Sequence, residues 1–228
     1  MSNVLNLDKR LSKIVELCSN TKIVADIGCD HGKVGAELIL QSKAYGVIAT
    51  DISPKSLNKA VRLASRLNIS PYISFREGDG FSVISKYDKV DCAIVAGFGG
   101  SEMLKMIKQS KNRINELILQ PMSDILKLRS YMLQIGFKIT DDVTIKSSGK
   151  FYHIIKFKEG KMKITDLEFY FGITNVRELG EDFIEYLNSE KEKIHRIEEN
   201  AGELSLKKQN YLNRIEIVLK KYEDKKDK

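Results

Sequence analysis

The chain has 228 residues, 42% of them apolar and 30% charged, with three cysteines and three histidines. That length supports one full α/β domain and a small appendage, and no apolar run is long enough to span a membrane. Met1 to Arg10 lacks a signal-peptide apolar stretch, and Cys18, Cys29 and Cys92 lack CxxC spacing; the expectation is a cytoplasmic protein with reduced, buried thiols, no disulfide frame and no metal site.

The net charge of +7 is unevenly spread. Residues 1–159 carry 24 Lys and Arg against 16 Asp and Glu, about +8, whereas 160–228 carry 14 against 15, about −1. A basic first part makes a phosphate-bearing partner such as nucleic acid plausible, because clustered cations displace its condensed counterions.

Taken in chain order, Lys22–Ile27 is short, apolar and β-branched and stops at Gly28, as a buried parallel strand does. Lys33–Gln41 reads as the helix after it, and Gly46–Asp51 as a second strand ending on an acid. Pro54–Leu67 reads as a helix capped by Ser53, with Leu57, Val61, Ala64 and Leu67 on its apolar face. Tyr72–Phe75 and Val90–Ala96 are further strands, the latter followed by a helix over Ser101–Lys108. Glu116–Gln120 is a fifth strand, and Asp124–Ile135 a helix closed by Gly136. Phe137–Ile145 and Tyr152–Phe157 read as a closing antiparallel pair. This alternation predicts a doubly wound, Rossmann-like α/β sheet with an antiparallel edge.

The composition changes near Gly160. Thr165 and Glu168 have capping-box spacing. Apolar residues then recur at helical spacing over Leu179–Ile197 and again over Leu204–Tyr222, with Asn200-Ala-Gly202 between. Two helices of about 20 residues, roughly 30 Å each, predict an antiparallel, coiled-coil-like arm with a frayed Lys225–Lys228 tail. The expected organisation is a catalytic domain over 1–159 and an all-α arm over 160–228.

The chemistry sits at strand ends. Asp26-Ile-Gly28-Cys-Asp30-His31-Gly32 follows the first strand, where glycine lets a ligand approach the backbone. The segment is not GxGxxG, and Asp26 and Asp30 would repel a pyrophosphate. S-adenosylmethionine, with an ammonium, a sulfonium and no phosphate, suits these acids better. Asp51, followed by Ile52, can accept both ribose hydroxyls. Asp79, beside Gly80, can accept an adenine amino proton. Ala96, Gly97 and Phe98 follow the fourth strand, facing the transferable methyl, and Phe98 can stack on a substrate base or pack in the core. Three acids at three successive strand ends are more specific together than any one alone.

The blocks ADIGCDHG, ATDIS, GDG, VAGFGG and LILQPM, in that order, resemble the bacterial tRNA (adenine-22, N1)-methyltransferases over nearly the whole chain. Leu7-Asp-Lys-Arg10-Leu11 is similar to that family's opening segment. The chain departs from it at Gly32-Lys33-Val34-Gly35, at Phe98 and at Met122. The resemblance implies a class I domain with a coiled-coil arm, S-adenosylmethionine as methyl donor, and transfer to adenine N1 in the D-arm of tRNA. Under it Asp30 and His31 are the catalytic candidates, and Arg10 and Phe98 the substrate contacts. A small-molecule methyltransferase and a non-catalytic RNA-binding protein with the same fold are the alternatives.

Overall fold

The computed structural model describes residues 5–110 and 114–227. Strands β1 (Thr21–Ile27), β2 (Ala44–Asp51), β3 (Ile73–Glu77), β4 (Cys92–Phe98) and β5 (Glu116–Pro121) are parallel, while β6 (Phe137–Ser147) and β7 (Lys150–Glu159) close the sheet antiparallel. The order is β3-β2-β1-β4-β5-β7-β6. The central strands read as continuous apolar runs because both faces are covered. Val24, Cys92, Ile94 and Ile118 pack on one side with α1 (Lys9–Leu17), α2 (Lys33–Leu40) and α3 (Pro54–Arg66). Ala25, Ala93, Val95, Leu117 and Leu119 pack on the other with α4 (Gly100–Gln109) and α5 (Ile125–Gln134). Successive residues alternate between the two cores, as the pleat requires. The chain order reverses between β1 and β4, and the crevice at the C-terminal ends of those strands is where such sheets bind ligands.

The predicted strands and helices of this domain are present, with ends shifted by at most two residues. Three differences have physical causes. Helix α1 was not foreseen: Asp8 caps it by accepting from the Leu11 N–H at 2.8 Å, and Ile14 and Val15 are its buried residues. On α3 the buried face is centred on Ala60 and Ala64, whereas Val61 is 38% exposed; small residues there let the helix lie close to the first loop. Tyr72 belongs to a 3-10 turn, Ser70–Tyr72, so β3 begins one residue later.

After β7 the Thr165–Glu168 capping box forms as expected. It opens two short helices, α6 (Asp166–Phe171) and α7 (Ile173–Glu178), divided at Gly172, φ +95°. Helices α8 (Glu181–Ala201) and α9 (Leu206–Lys226) then form the antiparallel hairpin. The pairing of Lys191 with Glu216 at 3.1 Å and of Lys225 with the Glu178 carbonyl at 3.1 Å sets the direction. Ile197, assigned to the apolar seam, is 38% exposed. Lys225 and Lys226 are helical rather than frayed, and Lys228 lies outside the described residues, as do Met1 to Val4 of the opening segment.

The arm meets the sheet edge through buried polar groups. Arg129 forks onto both Asp142 carboxylate oxygens at 2.7 and 2.9 Å and donates to the Phe169 and Tyr170 carbonyls. The backbone N–H groups of Asp142 and Thr144 on β6 donate to the Thr174 hydroxyl and the Asn175 side chain of α7. An edge strand's free donors are thus satisfied by side chains of the following segment.

Candidate active site

Asp51 ends β2 with its carboxylate already oriented. Oδ2 accepts from the Asp30 backbone N–H at 2.9 Å, and Oδ1 from the Ser53 N–H at 2.8 Å. Each oxygen retains a lone pair for a ligand. Presenting that N–H puts Asp30 at φ +46°, a left-handed conformation that Asp tolerates. Gly28, φ +69°, is held as tightly, since a Cβ there would lie 2.4 Å from the Phe98 ring. Any side chain at 28 would both strain the backbone and displace Phe98.

Two cavities flank this point. The first, of about 400 Å³, lies at the β2 and β3 ends between Asp51, Ile52, Asp79, Gly80, Phe98 and Met106. Ile52 is 71% exposed, an apolar side chain offered to solvent beside two carboxylates. The second, of about 420 Å³, lies over Asp26, Cys29, Asp30, His31 and Gly97 and under Arg10. Gly28, Asp30, Ala96 and Gly97 line both, so a ligand longer than either cavity can run across them.

Asp26 is buried and accepts from the Gly35 N–H at 3.2 Å. Burial pushes its carboxyl up to about 6; the Gly35 hydrogen bond works against that and the Asp51 charge adds to it. Arg10 is fixed at the rim. Its guanidinium donates to Gln120 Oε1 at 2.8 Å and lies over the Tyr152 ring, 5.3 Å from its centre. The nearest Arg10 nitrogen would be 3.9 Å from a Cβ on Gly97. Asp30 and His31 are exposed. His31 Nε2 is 3.5 Å from Asp30 Oδ1 and 3.0 Å from Lys59 Nζ.

Every sequence-derived candidate lines one of the two cavities. Phe98 sits on the Gly28 backbone and against the core on the α4 side, in the cavity that holds Asp51 and Asp79. The departures at Gly32 and Gly35 have packing causes. A Cβ on Gly32 would lie 2.7 Å from Ala60 Cβ, and one on Gly35 2.9 Å from the Val47 side chain, so both let α2 and α3 pack close to β1 and β2. Sequence reading missed Gln120, Tyr152 and Met106. A buried Gln at a strand end, before Pro121, was the available signal for the first. Tyr152 and Met106 are brought in from a late strand and a helix by the fold alone.

A model of a methyltransferase domain matches residues 7–155. The tRNA (adenine(22)-N(1))-methyltransferase of Bacillus subtilis is 31% identical over 161 residues, covering 69% of this chain and 67% of that protein. Among solved structures, Streptococcus pneumoniae Sp1610 superposes with a TM-score of 0.86 at 25% identity, covering 93% of this chain and 99% of that one. M. capricolum TrmK in complex with S-adenosyl-homocysteine shares the fold, with a TM-score of 0.81 at 24% identity over 93% and 97% of the two chains. With its strand-end acids, glycine turns and sheet order all in place, this chain belongs to the tRNA (adenine-22, N1)-methyltransferase family of class I, S-adenosylmethionine-dependent enzymes.

Proposed function

We propose that this protein methylates N1 of an adenine in tRNA, at position 22 of the D-arm, with S-adenosylmethionine as donor, in the cytoplasm. Among the described residues no helix is long and apolar enough to cross a membrane. The observation that carries the reading is the Asp51 carboxylate, oriented by two backbone donors in the wall of the first cavity, which shares Gly28, Asp30, Ala96 and Gly97 with the second. Asp51 binds the ribose diol. Asp79 accepts the adenine amino group, with Ile52 and Phe98 as apolar walls and Gly80 leaving room for the ring. Asp26 and Asp30 face the cationic end, over Gly28, Ala96 and Gly97.

The bound donor supplies an electrophilic methyl on sulfur. Adenine N1 already carries a free lone pair, so the protein's task is alignment rather than deprotonation. Arg10, braced by Gln120 and Tyr152, holds the incoming nucleotide at the rim. Asp30 accepts from the exocyclic amine and stabilises the positive charge that develops on the base, with His31 orienting it. Asp30 and His31 are exposed here, as groups that act on a docked RNA must be. The cavity-lining acids and glycines all lie within residues 1–159, and the helical part has its own core around Phe171, Phe183, Leu187 and Ile215. These observations support a catalytic unit over 1–159 and an arm over 160–228 that braces the RNA.

Incubation with labelled donor and unmodified bacterial tRNA, followed by nucleoside mass spectrometry, is expected to yield N1-methyladenosine. Methylguanosine, or transfer to a small molecule alone, would contradict the assignment. A second expectation concerns pH. An ammonium beside Asp26 favours the ionised carboxylate, so donor affinity should be greatest near about pH 7, below the pH of about 8 at which the ligand's own amine deprotonates, and fall as pH drops through about 6. The limiting slope is tenfold per pH unit, one proton per ligand. Calorimetry between pH 5 and 8 reads this, and Asp26→Asn should flatten the profile. A wild-type profile already flat across pH 6 removes Asp26 from the cationic end.

A further inference from the structure

Helix α3 carries Lys55, Lys59, Arg62 and Arg66 at intervals of four, three and four residues. At 100° per residue these four fall within an arc of about 60°, opposite the buried Ala60 and Ala64. All four are exposed. The helix contains no acidic residue. Among the described residues, neither these four nor Lys33 makes an ion pair. Several cations elsewhere on the surface do have carboxylate partners, as Lys193 has Glu190, Arg196 has Glu192, Lys191 has Glu216 and Arg214 has Asp166. An unneutralised row of cations is a cost in self-repulsion that fold stability does not require.

Beside the row runs a groove of about 330 Å³, lined by His31, Lys33, Lys59, Arg62, Leu63 and Arg66 without a carboxylate. His31 and Lys33 also line the cavity beneath Arg10, so the groove opens directly onto the point of methyl transfer. The row extends about 16 Å along the helix, at 1.5 Å per residue. Exposed Lys and Arg head groups are the side chains that pair with phosphates, and Lys59 holds His31 at the junction of groove and cavity.

We infer that the α2–α3 groove is the seat of the tRNA phosphodiester backbone leading into the active site, with Arg62 and Arg66 at its outer end. This rests on the proposed tRNA substrate and assigns the electrostatic part of its recognition to α3 rather than to the near-neutral arm. The arm then contributes shape, and the stripe contributes attraction that is independent of base sequence. Charge complementarity and continuity with the crevice select RNA over an apolar partner: four of the six lining residues, Lys33, Lys59, Arg62 and Arg66, carry cationic head groups on aliphatic stems, and none carries a carboxylate.

The test compares the full-length wild type with two triple variants that remove equal charge. One is Lys55→Ala/Arg62→Ala/Arg66→Ala, which leaves Lys59 in place because it contacts His31. The other is Lys208→Ala/Lys220→Ala/Lys221→Ala on exposed positions of α9. Alanine favours helix at all six positions, and donor calorimetry confirms that each variant is folded. Equilibrium binding of unmodified tRNA is measured from 50 to 300 mM salt, independently of catalysis. The α3 variant is expected to bind tRNA at least tenfold more weakly near 150 mM salt. Its log–log salt slope should be shallower by about 2–3, roughly one unit per lost phosphate contact. Its KM for tRNA should rise, with kcat at saturating tRNA and donor affinity unchanged. The α9 variant should differ from wild type by less than about twofold. An unchanged slope in the α3 variant, or equal loss in both variants, overturns the inference while leaving the tRNA reading intact. Failure of the wild type to bind tRNA overturns both.

Discussion

Replacing Asp142 by alanine should destabilise the protein by about 3–5 kcal/mol, the cost of leaving a buried charge without its partner. Arg129 and Asp142 are essentially inaccessible, at 1% and 0% side-chain exposure. Burial raises the Asp142 carboxyl and the Arg129 charge and hydrogen bonds pull it back, so the pair is sustained by mutual contact rather than by solvent. Without Asp142 the guanidinium keeps the Phe169 and Tyr170 carbonyls at 3.0 and 2.8 Å, two dipoles in place of a full countercharge. In a chain of this size the loss corresponds to a fall in melting temperature of roughly 6–20 °C. Donor affinity measured well below the transition should be unchanged, because β6 lies at the far edge of the sheet from β1 and β2. The double variant Arg129→Met/Asp142→Leu should recover most of the loss, since apolar replacement of a whole buried pair is often neutral or better. A single variant that melts within about 2 °C of wild type would show that the edge lock contributes little. One in which donor binding disappears with the pair would tie the arm to the site more closely than the geometry implies.

That lock also shows what the sequence could not reveal. Arg129 reads as one more charge on a predicted helix, and Asp142 as one polar residue in an alternating strand. Their pairing crosses 13 residues and is completed by carbonyls 40 and 41 residues further on. No local period encodes such a contact. The central strands were legible because burial on both faces leaves apolar runs, and the strand-end acids because glycine or proline brackets each of them. The hairpin was legible from its apolar spacing and the Gly202 break. Helix α1 was missed although Asp8, Leu11, Ile14 and Val15 carry a cap and a helical period; its nine residues are brief and follow no strand that would mark where a helix is due. On α3 the periodic reading chose Val61, because hydrophobicity scales favour Val over Ala. Close packing reversed the choice, since the space over Gly32 admits only a small side chain. Arg10 could be named from the opening segment, but its support could not. Gln120 and Tyr152 lie 110 and 142 positions away, and they converge on it because β5 and β7 are neighbours in the sheet.

Asp51→Ala should weaken donor binding by about 1.5–3 kcal/mol, roughly 10- to 150-fold, while the protein remains folded. Among the described residues, Asp51 is the one of the three candidate acids Asp26, Asp51 and Asp79 whose two oxygens are both oriented by backbone donors, from Asp30 and Ser53. A ligand diol therefore meets an acceptor pair that needs no reorganisation, and a charged acceptor makes the stronger hydrogen bonds. Alanine also removes the acceptor of the Asp30 N–H, so the first loop loses one tie to β2 and keeps the Cys29 N–H bond to the Thr50 carbonyl. Asp51→Asn separates these two contributions. Its side-chain oxygen can keep one backbone donor, but it lacks the charge and presents N–H donors where a second acceptor stood. If recognition of the diol dominates, Asn and Ala lose similar affinity. If loop placement dominates, Asn retains most of it. Asp79→Ala, whose carboxylate has no hydrogen bond within the protein among those found in the described residues, is expected to lose less than Asp51→Ala. Isothermal calorimetry with S-adenosylmethionine and with S-adenosyl-homocysteine reads both series. Because the two ligands share the ribose and differ in the sulfonium charge, loss at Asp51 should be nearly equal for both. Loss confined to S-adenosylmethionine would place Asp51 at the cationic end instead, and unchanged affinity in a folded Asp51→Ala protein would remove it from the site.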